Sequence, residues 1–275
     1  MVDTSDIINQ QIELLLSDAL EKYGYDFTGY SPASIKRRIL RLFSLDKWTS
    51  FAEFRHAINA DPVYFIRFME QITINVTEMF RDPEFYRLLR QEVLPALGTY
   101  PFIRIWVAGC STGEEAYSVA IMLDELNLLN KSLIYATDIN ATTIEKAKTA
   151  IFPLNKMRQY SENYILTGGT KNFTDYYSAN YTLAVLKSEL KKKIIFSTHN
   201  LVSDFSFNEF QLILCRNVLI YFDKELQSNV FELFDNSLEN LGYLALGSKE
   251  SLAFSPIAKK YKKLEQQKIW RKIAE

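Results

Sequence analysis

Cysteine and histidine are scarce in this 275-residue chain, two of each, and that scarcity removes several chemistries. Cys110 and Cys215 lie far apart and make neither a CxxC pair nor a secreted disulfide framework. Both follow apolar, strand-like runs and read as buried free thiols. His56 stands alone in a helical region. His199 has no second His, Cys or acidic cluster at ligand spacing, so metal chemistry has no support and His199 reads as structural. No run of about 18 apolar residues could span a bilayer, and the opening MVDTSDIINQQ has neither the basic nor the apolar region of a signal segment. A basic excess is missing too: 32 Lys and Arg face 33 Asp and Glu, which argues against a general nucleic-acid binder. These absences imply a reduced, soluble, cytoplasmic protein. Hydrophobic residues, at 48% with 14% aromatic, suffice for a sizeable core in one large domain, or a large and a small one.

The first seventy residues read as helices. IINQQIELLLSDALEKYG carries apolar residues at helical spacing and stops at Gly24, a C-cap candidate. SPASIKRRILRLFSLD follows with Pro32 in a first turn behind Ser31, then FAEFRHAIN, then a helix with Asp61 as N-cap and Pro62 at its start. INVTEMF is a β-branched connector. RDPEFYRLLRQEVLPAL restarts a helix with Asp82 as its cap. Beyond it strands and helices alternate: strand 102–108, helix 113–127, strand 133–138, helix 141–150. KKIIFSTHNL, FQLILCRNVLIYF, the helix DKELQSNVFELFDNSL and GYLALGS come later. Apolar strands separated by helices predict a mostly parallel, doubly wound sheet covered on both faces. Residues 171–187 read as an antiparallel excursion and YKKLEQQKIWRKI as a final strand pair. The expected division is a helical domain over 1–70 and an α/β domain over 71–275.

FIRIWVAGCSTGEE runs a strand into a turn and a helix start, and SLIYATDIN then ends a second strand on Asp138. This is the nucleotide-binding half of a doubly wound sheet. The turn has only Gly109 and Gly113, not the three glycines that admit a pyrophosphate, and Glu114 and Glu115 follow at once. Two carboxylates would repel phosphates but suit a cationic, phosphate-free ligand such as S-adenosylmethionine. Thr112 and Glu115 also have capping-box spacing, a purely structural reading of Glu115. Asp138 is placed for a ribose diol. It could instead cap the helix starting near Ala141, but Asn140 can fill that role.

FQLILCRNVLIYFD is a buried strand interrupted by Arg216 and Asn217, at the strand end where ligands gather in open α/β sheets. Arg216 is either a site residue or half of a structural ion pair. Asn200, in the HNL that ends another strand, reaches towards the same edge. In NVTEMFRD the polar Asn75, Thr77 and Arg81 have no structural account as a linker, which would be rich in Gly, Ser or Pro.

NVTEMFRD, CSTGEEAYS, ATDIN and CRNVLIYFD, in this order and spacing, closely resemble the signature blocks of the CheR family, the chemotaxis receptor methyltransferases that esterify receptor glutamates with S-adenosylmethionine. The resemblance covers nearly the whole chain. It implies a class I S-adenosylmethionine-dependent methyltransferase, an α/β Rossmann-like fold with an N-terminal helical receptor-recognition domain and a small β excursion. It implies cofactor contacts from Asn75, Thr77, Arg81, Glu115, Asp138, Asn200, Leu201, Arg216 and Asn217. Arg81 and Tyr221 would lie at the methyl-transfer centre, with S-adenosylhomocysteine as product. Lys36, Arg37, Arg38 and Arg41, four cations within six positions, would face the acidic methylation region of a chemoreceptor's cytoplasmic domain; otherwise they form a solvated helical face. Some family members also dock a receptor tail peptide on the β excursion. The enzyme is expected to act as a monomer, without metal, nucleic acid or membrane insertion. Other readings are a methyltransferase for another acidic protein, a non-catalytic S-adenosylmethionine sensor, and, more distantly, an NAD-dependent oxidoreductase.

Overall fold

The computed structural model describes residues 4–73, 77–253, 255–264 and 267–273. Four helices open the chain: α1 (Thr4–Tyr23), α2 (Pro32–Leu45), α3 (Phe51–Ala60) and α4 (Pro62–Ile72). Their ends follow local chemistry. Gly24 takes φ +73° and its N–H bonds Leu20 O at 2.9 Å, a left-handed exit that glycine makes without steric cost. Asp61 caps α4 by accepting the Val63 N–H at 2.8 Å, with Pro62 in the first turn where its missing N–H costs nothing. Leu15, Ile39, Leu42, Phe54, Ile58 and Phe68 form a separate core that is essentially inaccessible to solvent. Burying each such side chain is worth about 1.5–3 kcal/mol. That sum outweighs the partly exposed Arg55–Asp18 and Arg67–Asp46 pairs on the bundle's surface.

The helix that restarts at Pro83 is broken into three: α5 (Pro83–Leu88), a π turn over Leu89–Val93 and α6 (Leu94–Leu97). Pro95 cannot donate its backbone N–H, so a regular α ladder cannot run through it. The expected Asp82 cap is not made: Asp82 sits at the N-cap position with φ +60°, and its carboxylate turns to Arg216 instead.

The α/β part then follows as β1 (Ile103–Ala108), α7 (Glu114–Glu125), β2 (Ser132–Asp138), α8 (Ala141–Thr149), β3 (Ile151–Pro153), α9 (Met157–Leu166), β4 (Tyr177–Asn180), β5 (Leu183–Leu186), α10 (Ser188–Lys191), β6 (Ile194–Thr198), β7 (Phe210–Cys215), α11 (Lys224–Ser237), β8 (Leu238–Leu246), β9 (Tyr261–Lys263) and β10 (Ile269–Lys272). Seven strands form one sheet in the order β6-β2-β1-β7-β8-β10-β9, parallel from β6 to β8 and antiparallel through β10 and β9. Alternate side chains feed two cores. Ile105, Val107, Leu212 and Leu214 face one side; Trp106, Ala108, Ile213 and Cys215 face the other against Phe231 and Phe234 of α11. Burial on both faces explains why the strands read as unbroken apolar runs. The excursion is wider than expected: β4 and β5 lie within 171–187, but β3 pairs antiparallel with β5 to make it three-stranded.

From β1 the chain winds through β2 to β6, then returns to place β7 on the other side of β1. The winding reverses between β1 and β7, so a crevice opens above their carboxyl ends. The helical bundle abuts it. The Ser31 N–H donates to Tyr221 O at 2.8 Å, the Asp223 N–H to Gly29 O at 2.7 Å, and Asn140 Nδ2 to Thr73 Oγ1 at 3.2 Å.

Candidate active site

The crevice is a cleft enclosing about 970 Å³ of space, its open mouth to solvent included. Its floor is the β1–α7 turn. Gly109 has φ +75°, and a Cβ there would stand 2.3 Å from Val218 Cγ2. The backbone of β1 therefore meets the loop after β7 only because residue 109 is glycine. Ser111 also takes a left-handed φ of +50°, and its N–H donates to Asp138 Oδ2 at 2.8 Å.

Asp138, at the tip of β2, is 8% exposed and accepts the Asn140 N–H at 2.9 Å on its other oxygen. Burial pushes its carboxyl above the usual range, and the amide bonds oppose that shift. A carboxylate has about four acceptor sites, so capacity remains for a ligand. Asn140, not Asp138, caps α8: its Oδ1 accepts the N–H groups of Thr142 and Thr143.

Glu115 lies in the first turn of α7 but makes no capping box. The N-cap position is Gly113, without a side-chain cap, and Thr112 Oγ1 donates to Glu114 Oε2 at 2.6 Å. Glu115 Oε1 instead accepts from Tyr86 Oη at 3.0 Å and from Arg216 at 2.7 Å. Arg216 also pairs with Asp82 at 2.7 Å, donates to Arg81 O at 3.0 Å and stacks 4.0 Å over the Phe85 ring. The ion-pair reading of Arg216 therefore holds, and the same residue lines the cleft.

The two glutamates of the helix start do not both face the cleft, contrary to expectation. Glu114 is buried away from the cleft, against Tyr160 and Thr112. The lining carries three carboxylates, Glu78, Glu115 and Asp138, and three guanidiniums, Arg38, Arg81 and Arg216. It is balanced rather than negative.

Thr77, Arg81, Glu115, Asp138, Asn200, Leu201, Arg216, Asn217 and Tyr221 all line this one cleft. Asn75 lies outside the described residues. The four cations of α2 do not form one face. Arg38 is 8% exposed and turned into the cleft, donating to Ile72 O and Ser34 Oγ and lying 4.5 Å from the Tyr221 ring centre. Arg37 and Arg41 are exposed, and half-buried Lys36 donates to Asn9 Oδ1 at 2.8 Å. Successive helical residues turn by about 100°, so a run of adjacent cations cannot share one side. His199 Nε2 lies 3.2 Å from Phe205 O and its ring packs edge-on to Trp106, a structural role. Both cysteines are free and buried.

Two parts of the site were missed by the sequence reading. Tyr30 and Tyr86 line the cleft, yet Tyr30 sits just ahead of a helix and Tyr86 inside a segment that reads only as helix. Glu250 follows β8 and binds the backbone of the Asn217 loop; as a polar residue just past a strand end it carried the same signal as Arg216.

Several buried polar atoms around the cleft have no partner among the described residues: Ser111 Oγ, His199 Nδ1, Asn200 Nδ2 and Arg216 Nε. Together with the spare acceptor capacity of Asp138 they fit a ligand with a ribose, an adenine and an amino-acid end. A doubly wound sheet with a mixed seven-stranded order and this cleft defines a class I S-adenosylmethionine-dependent methyltransferase. The chain matches the descriptions "CheR methyltransferase, SAM binding domain" over residues 75–269 and "CheR methyltransferase, all-alpha domain" over residues 10–73. It belongs to the CheR family. It is 46% identical to a Pseudomonas putida candidate methyltransferase, Cher3, over 95% of this chain and 96% of that one. It is 32% identical to a chemotaxis protein methyltransferase of Listeria monocytogenes over 83% and 85%, and 30% identical to that of Salmonella typhimurium over 91% and 90%. The protein is thus an S-adenosylmethionine-dependent methyltransferase of CheR type. Among the described residues no helix is long and apolar enough to cross a membrane.

Proposed function

We propose that the protein methylates glutamate side chains of chemoreceptor cytoplasmic domains, forming methyl esters. The observation that carries this reading is that Arg81, Arg38 and Tyr221 all line the cofactor cleft, with Arg38 lying 4.5 Å from the Tyr221 ring centre, so that an incoming carboxylate would meet cationic and hydroxyl donors. Bound S-adenosylmethionine supplies an electrophilic sulfonium methyl group. A glutamate with a reference pKa of about 4.3 is already ionised at neutral pH, so no protein base is needed. The chain's work is to align two groups and exclude water.

In this reading Asp138 holds the ribose, and Asn200 and Leu201 the adenine side. Thr77, Asn217 and Asn75 complete the cofactor's contacts. Arg216 is committed to Glu115 and Asp82, so it shapes the cofactor's charged end and leaves the acceptor to Arg81 and Tyr221. Residues 1–70 form the recognition domain, with exposed Arg37 and Arg41 and half-buried Lys36 towards the acidic receptor helix. The enzyme acts as a monomer.

A second acceptor has specific support. The Listeria monocytogenes and Salmonella typhimurium relatives at 32% and 30% identity are named for chemotaxis, whereas Cher3 at 46% is named only as a methyltransferase. The acceptor would then be another acidic protein. Incubation with methyl-labelled cofactor and purified receptor cytoplasmic fragments separates the two. Label that mild base releases as methanol from receptor glutamates supports the first reading. No transfer to any receptor fragment, with transfer to a different acidic protein, moves the assignment to the second. Base-stable label rejects ester formation altogether.

A further inference from the structure

Glu250 is 4% exposed and stands outside the cleft, beneath the loop that carries Arg216 to Tyr221. Its Oε1 accepts the N–H groups of Val218 at 2.9 Å and Leu219 at 2.8 Å. Its Oε2 accepts those of Asn217 at 3.0 Å and Gly247 at 2.6 Å. A carboxylate offers about four acceptor sites, so the backbone claims them all and none is left for substrate. Burial pushes the Glu250 carboxyl up, and the four amide bonds oppose that shift.

The loop held in this way contains a left-handed residue. Asn217 has φ +62°, a conformation uncommon for non-glycine residues but one that asparagine adopts more readily than most. Val218 is pressed against Gly109 from the cleft side. Gly247 completes the cradle, since a Cβ there would lie 2.7 Å from Glu250 Oε2 and 2.8 Å from the Asn217 nitrogen. The Leu219 amide opens the 3-10 turn Leu219–Tyr221, in which the Tyr221 N–H donates to Val218 O at 3.2 Å. From the opposite side the helical bundle holds the same turn through Ser31 and Arg38.

We propose that Glu250 is a positioning residue for methyl transfer: by binding three consecutive loop amides it sets where Tyr221 stands in the cleft. This rests on the reading that Tyr221 takes part in transfer. Glu250→Gln keeps the volume but turns an amide NH₂ towards two backbone donors. kcat is expected to fall roughly ten- to a hundredfold, as for a sub-ångström to ångström misplacement, with a several-fold smaller loss of S-adenosylhomocysteine affinity, felt through Asn217. In a Tyr221→Ala background the same change should alter kcat by less than about twofold, because the two act as one unit.

Full multiplication of the two losses overturns the inference while leaving Tyr221's role intact. So does a cofactor-affinity loss as large as the kcat loss. An unaltered kcat in Tyr221→Ala alone removes the Tyr221 reading, and this one with it. If circular dichroism shows Glu250→Gln unfolded, Glu250→Asp, which keeps the charge and shortens the reach, enters the same cycle. Unfolding of both makes Glu250 a stability residue and overturns the positioning role.

Discussion

Arg216 at the end of β7 and Glu115 in the first turn of α7 form a buried ion pair across the floor of the cofactor cleft, 2.7 Å apart with side chains 3% and 11% exposed. It ties the two strand ends flanking the winding reversal. Glu115 also sits where the helix dipole favours a negative charge. Removing one partner leaves the other buried without its counter-charge.

Arg216→Ala should therefore lower unfolding stability by about 3–5 kcal/mol. Arg216→Lys should fall between, since an ammonium keeps the charge but cannot reach Glu115, Asp82 and Arg81 O in one fork. Urea unfolding at neutral pH reads both. A loss in the alanine variant below about 0.5 kcal/mol, the level of an exposed pair, contradicts the assignment.

The acceptor-binding role proposed for Arg81 and Tyr221 should separate from cofactor binding kinetically. Arg81→Ala should reduce kcat/KM for the protein acceptor by roughly a hundredfold or more, with a much smaller loss in S-adenosylhomocysteine affinity. Tyr221→Phe should cost less than Tyr221→Ala if the ring against Arg38 matters more than the hydroxyl. Calorimetric titration beside initial rates decides the matter; equal losses in affinity and turnover for Arg81→Ala sink the positioning role.

Features set by neighbours in sequence were legible before the structure. Asn140 is two and three residues from the amides it caps, and Asp138, relieved of capping, stands in the cleft as the strand-end rule expects. What failed depended on residues distant along the chain. Glu115 has the spacing of a capping box, yet its partner is Arg216, 101 positions away. Arg38 differs from Arg37 only by the rotation of about 100° between successive helical residues, and which side meets the cleft depends on how the bundle packs. Strand β3 joins the excursion by pairing with β5 some thirty positions on, a contact that no local periodicity encodes.

The contact of Gly109 with Val218 makes a second test of the cleft floor. Gly109→Ala brings a methyl to 2.3 Å from Val218 Cγ2 and forces a non-glycine residue to φ +75°. Overpacking and left-handed strain together should cost about 2–4 kcal/mol and shift the loop that carries Asn217. Combining it with Val218→Ala, which removes the offending methyl, should recover most of the steric part but not the backbone part. No recovery in the double variant's urea midpoint would falsify the steric account.

Stability against acid should depend on Asp235 in α11, which anchors the C-terminal strand pair. Its carboxylate accepts from Lys260 at 2.7 Å and Tyr261 Oη at 2.9 Å, and lies 3.2 Å from Lys272 Nζ. Burial pushes its carboxyl up, but the bonds from Lys260, Tyr261 and Lys272 together outweigh that and hold it below the usual range. The folded value thus lies below the unfolded value of about 4, so in that window the unfolded chain binds the extra proton. The group's contribution is complete above the unfolded value and is lost as pH falls through the folded one. Asp235→Asn should accordingly reduce the urea midpoint at pH 7 and narrow its gap from wild type towards pH 3. Asp18 and Asp46, also held low by their arginines, titrate in both proteins and cancel in the comparison. A gap of the same size at the two pH values would show that the asparagine acts through shape alone and that the ionised Asp235 does not staple β9 and β10 to α11.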